Sequence, residues 1–103
     1  MSAAMSIPMQ EFPALENFLS AYFHQDWATE HGSPEAVVAY FLDHEGGAEI
    51  AKVRGELERL AAQSLPEAEL AQHFRALGSE YDPTRDGSSY RDWLHALLSR
   101  FQH

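Results

Sequence analysis

A chain of 103 residues, 45% of them hydrophobic, has the size and apolar content of one globular domain. A domain of this size buries roughly two-thirds of the surface its unfolded chain exposes, enough for one core without staples. It has no cysteine, which excludes disulfides, thiolate zinc sites and thiol redox chemistry, and its formal net charge of −9 opposes binding to nucleic acid or an anionic membrane.

The charge is unevenly placed. Residues 1–51 carry eight acids (Glu11, Glu16, Asp26, Glu30, Glu35, Asp43, Glu45, Glu49) and no Lys or Arg, whereas from Lys52 onward seven bases meet eight acids, a sum of −1. Such a field steers a basic partner toward the first half of the chain. The opening "MSAAMSIPMQEFP" has no basic residue and no long apolar run, so it reads as neither a secretory signal nor an anchor. No stretch is long enough to span a membrane, and the cytoplasm is the expected location. Residues 1–11 are expected to be a flexible N-terminal segment and residues 12–103 a helical domain.

Taken in order, the apolar residues keep a helical period. Leu15, Phe18, Leu19, Tyr22 and Phe23 form the first stripe, after Pro13 at a first-turn position. In "HGSPEAVVAYFLDHEGG", Ser33 caps, Pro34 suits the first helical position, Val37, Val38, Phe41 and Leu42 form the stripe, and Gly46-Gly47 stops it. Ile50, Val53, Leu57 and Leu60 make a narrow seam. "SLPE" resembles a capping box of Ser64 and Glu67, opening a helix with Leu70, Phe74 and Leu77 and a stop at Gly78. "SEYDPTRDGSS" is a turn-rich loop, and Ser88 or Ser89 caps a last helix lined by Trp93, Leu94, Leu97, Leu98 and Phe101. The expected fold is all-α, a compact single-domain bundle of about five short amphipathic helices.

The stretch "YFHQDW" at 22–27 sets polar residues within an aromatic run. On a helical wheel His24 falls opposite the stripe and should face water, while Asp26 falls back on it. A carboxylate is not buried unpaired without a cost of several kcal/mol, so the helix is expected to end near Gln25. Trp27 would then pack on the core and Asp26 would accept backbone hydrogen bonds in the "TEHGS" turn. A partner-facing Asp26 is the alternative.

Enzymatic signals are weak. His24, Asp26, Glu30, His31, His44 and Glu45 could supply metal ligands, yet none stands in an HxxxH, HExxH or ExxH arrangement that puts two ligands on one helix face. No serine lies in a nucleophile elbow, and "GGAE" lacks the Lys-Ser/Thr of a phosphate loop. No metal, no cofactor and no catalytic residue is expected.

"LENFLSAYFHQDW", "HGSPEAVVAYFLDH" and the looser "LGSEYDPTRDGSSYRDWL" together resemble the small all-helical CdiI immunity proteins of contact-dependent growth inhibition, over about residues 12 to 101. The resemblance implies a cytoplasmic inhibitor that binds, as a 1:1 heterodimer, the C-terminal toxin domain of a large secreted effector. Such toxins are often basic nucleases, which agrees with the acidic first half. Tyr22, Phe23, Asp26 and Trp27 are then read as scaffold. Charge and exposure nominate Glu30, Glu35, Asp43, Glu45 and Glu49, and with them Glu56, as the toxin-binding surface. His24 and Tyr40 would add directional contacts, Tyr40 as the anchor. Two further classes stay open: an acidic helical adaptor of another basic protein, and a metal-dependent enzyme built on the histidines and acids of residues 24–45.

Overall fold

The computed structural model describes residues 12–102; the flexible segment expected at 1–11 lies outside them. Among the described residues there are α-helices α1 (Pro13–Tyr22), α2 (Trp27–His31), α3 (Pro34–His44), α4 (Gly47–Ala62), α5 (Glu67–Ala76) and α6 (Tyr90–Phe101), with a 3-10 turn at Pro83–Asp86 and no strand. The all-α bundle read from the sequence is what forms. It contains one helix more than expected, because the segment after Asp26 coils into the single turn α2.

The core is one cluster to which every helix except α2 contributes fully buried side chains, and α4 packs against both α1 and α6. Its centre is aromatic. Phe18 meets Phe41 with ring centroids 4.5 Å apart and meets Phe23 and Phe101 edge-on at 5.7 and 5.6 Å. Edge-to-face pairs of this kind add about 0.5–1.5 kcal/mol each beyond the area they bury.

Two of the predicted caps form as the sequence directs. Ser33 Oγ accepts from Ala36 N–H at 3.1 Å and Ser89 Oγ from Asp92 N–H at 3.0 Å. The capping box at "SLPE" does not form: Ser64 sits at φ 52°, Pro66 occupies the cap position, and Glu67 reaches across to α6. There it accepts from the N–H groups of Tyr90 at 2.7 Å and Arg91 at 3.1 Å. The N-terminus of α1 is satisfied in the same way. Phe12 offers no side-chain cap, and the Glu56 carboxylate from α4 accepts from Ala14 N–H at 3.1 Å and Leu15 N–H at 2.7 Å. Glu56 is therefore buried and structural, not part of the acidic surface on which it was placed.

At the far end of α5 the chain closes a paired-bond C-cap. Ser79 N–H donates to Phe74 O and Gly78 N–H to Arg75 O, with Gly78 at φ 102°. Glycine is required there twice over, since a Cβ would stand 2.7 Å from Ser20 Cβ on α1. Glu80 N–H then donates to Phe23 O at 2.8 Å, which ties the 79–82 segment to the end of α1.

Candidate functional site

Helix α1 ends at Tyr22, earlier than the wheel suggested, and the polar residues of "YFHQDW" fall in the turn that follows. Phe23 turns wholly inward, and the half-buried Trp27 packs against it at 5.9 Å and edge-on to Tyr81 at 5.2 Å. Asp26 corrects the sequence expectation. Its carboxylate is exposed and makes no capping hydrogen bond; its main chain does the structural work, the carbonyl accepting from Glu30 N–H and the N–H donating to His24 Nδ1. Because α1 stops short, the side chain never needs to enter the core.

The same turn brings His24 beside α2. His24 Nε2 lies 3.2 Å from Glu30 Oε1, and His31 Nε2 lies 3.9 Å from that oxygen. The ring of His31 is 5.0 Å from Tyr40 on α3, and Tyr40 stacks on His44 one turn later, at 3.9 Å and 24°. Among the described residues, Tyr40, 44% exposed, is the large hydrophobic side chain that the fold leaves outside. Behind it stands Tyr22, centroid 6.1 Å away, whose hydroxyl donates to Glu45 Oε2 at 2.7 Å. Burial, followed by this bond to a carboxylate, pushes the Tyr22 phenol up to about 12.

Tyr22, Glu45 and Glu49 share the walls of an open groove of about 290 Å³ between α1, α3 and the start of α4, together with Asn17, Phe18, Ala21 and Phe41. The fold thus joins His24, Glu30, Tyr40, Glu45 and Glu49 in one band, with His31 and His44 between them, two histidines that were weighed only as metal ligands. Asp43 is exposed on α3. Glu35 is exposed near the start of α3, ten residues from Glu45 or about 15 Å along the helix. Its charge adds to the raising of the Tyr81 phenol, behind burial and the bond to Asp86.

Tyr81 belongs to a second cleft, of about 430 Å³, lined by Trp27, Glu80, Tyr81, Asp82, Arg85 and Asp86. The sequence showed only a turn-rich loop here. The Tyr81 hydroxyl donates to Asp86 Oδ2 at 2.8 Å, and burial with this bond raises its phenol. Asp82 accepts from the N–H of Thr84 at 2.9 Å and from its hydroxyl, which lowers its carboxyl. These carboxylates already serve the loop. Among the described residues, no group of three or more His, Asp or Glu side chains is arranged to hold a metal ion, and no helix is long and apolar enough to cross a membrane.

Among the described residues, the all-helical domain gathers histidines and acids into an open face around the exposed Tyr40. Residues 11–101 match the CdiI immunity protein family, and the chain belongs to that family. It is an inhibitor by family and not an enzyme. It is similar to a chain of the crystal structure of a CdiA-CT/CdiI complex from Y. kristensenii, at 27% identity and a TM-score of 0.82, over 88% of this chain and 98% of that one. No curated protein matches it in sequence.

Proposed function

We propose that this chain binds the C-terminal toxin domain of a CdiA-type effector, one to one, in the cytoplasm, and neutralises it by covering a basic, nuclease-type cleft with the face around Tyr40. The observation that carries the reading is the placement of charge: the band is drawn wholly from the half of the chain that has eight acids and no Lys or Arg. The likeness to a chain from a CdiA-CT/CdiI complex supports the class of partner. An acidic face raises the rate of encounter with a basic cleft and disfavours other anions in its place.

Reversing charge at Asp43, exposed on α3, and at Glu45, on the wall of the groove, is the test. In Asp43→Lys with Glu45→Lys, affinity for the toxin domain encoded beside this chain should fall by roughly 2–5 kcal/mol with unchanged helicity. Unchanged affinity would place the toxin elsewhere.

A further inference from the structure

The groove between α1, α3 and α4 differs in kind from the larger cleft. The cleft at Tyr81 contains its own cation, Arg85, and two of its three acids, Asp86 and Asp82, are bonded to Tyr81 and Thr84. The smaller groove has two carboxylates, Glu45 and Glu49, and no Lys or Arg on its walls. The rest of its lining is Asn17 and the mostly apolar set Phe18, Ala21, Phe41 and Tyr22. Glu45 is held by the Tyr22 hydroxyl through Oε2, which fixes the direction of its second oxygen. At about 290 Å³ the groove lies at the lower edge of small-molecule pockets and has the size for one long side chain.

A mostly apolar groove whose walls include two carboxylates and no cation matches one kind of side chain, a methylene stem that carries a cation at its tip. We infer that this groove receives a single Lys or Arg side chain from the toxin domain, its stem against Ala21 and Phe41 and its charge between Glu45 and Glu49. The inference rests on the reading proposed above and deepens it. The groove is continuous with the Tyr40 band through Tyr22, so one docked surface reaches both.

Blocking the groove without touching its charge tests this. Ala21 is exposed on α1, so Ala21→Trp fills the channel from outside the core. Calorimetric titration with the toxin domain should show affinity reduced at least 100-fold, with the helical circular dichroism of the parent. Glu45→Gln with Glu49→Gln should also weaken binding at least 100-fold and flatten its salt dependence, while Glu58→Gln, exposed on the same helix outside the groove, should change it less than about twofold. If Ala21→Trp binds like the parent, the groove is overturned and the proposed function stands. If Ala21→Trp loses its helicity, the double Gln variant decides, and a loss no larger than that of Glu58→Gln overturns the inference. A parent protein that does not bind the toxin domain overturns the proposed function and the groove with it.

Discussion

The carboxylate of Glu56 accepts the backbone N–H of Leu15 at 2.7 Å, across 41 residues of chain, and in doing so caps one helix with the side chain of another. The four leading N–H groups of a helix need partners, and α1 begins Phe12-Pro13 with no side-chain cap of its own. A buried carboxylate taking two N–H groups also meets the positive end of the α1 dipole, so the burial of its charge is compensated.

Glu56→Ala should therefore destabilise the fold by about 2–4 kcal/mol, because it leaves two buried donors open and a cavity beside them. Glu56→Gln keeps one acceptor and should cost less. Denaturant unfolding of the three proteins checks the order parent, Gln, Ala.

Gly78→Ala should cost about 2–3 kcal/mol, combining a left-handed φ with a 2.7 Å approach to Ser20 Cβ. Ser20→Gly removes the atom that is struck. In a double-mutant cycle the pair should lose less than the sum of the single changes, and strict additivity would show that the backbone conformation alone sets the cost.

Alkali should act through the tyrosines. Tyr22, Tyr81 and Tyr90 all have phenols raised above the ordinary value of 10.0, Tyr22 to about 12. A raised folded-state value contributes stability that is present in full below pH 10, the unfolded value, and that is lost as pH rises through the folded one. Stability should fall between about pH 10 and 12, with part of the fall absent in Tyr22→Phe. Urea midpoints measured alongside tyrosinate absorbance check the sign.

Tyr40→Ala should cost no more than about 1 kcal/mol of stability, since Tyr40 lies outside the buried cluster, yet reduce toxin affinity by about 2 kcal/mol or more as the aromatic anchor of the face. Surface plasmon resonance and a melting curve on the same preparation separate the two effects.

The stripes, the Ser33 and Ser89 caps and the all-helical class were legible because each depends on residues three or four apart. Glu56 was misplaced on the surface because its partners lie on another helix. The signal was nevertheless there: it falls on the stripe of Val53, Leu57 and Leu60, where an acid must find donors. Glu67 was misread for the same reason, as a local cap where it serves α6. The wheel put Asp26 on the apolar side only on the condition that α1 ran that far, and α1 ends at Tyr22. The band itself was legible as charge but not as shape. Nothing local in the sequence brings Tyr22 to Glu45, or His24 to Glu30 and Tyr40.

The central claim is that an acidic face of this protein binds a basic toxin domain. Its most direct test is calorimetric titration with the C-terminal domain of the large exported protein encoded immediately upstream, at low and at high salt. We expect a 1:1 complex with nanomolar or tighter affinity, about −12 kcal/mol or better, weakening as salt rises. No heat at micromolar concentrations would contradict the account.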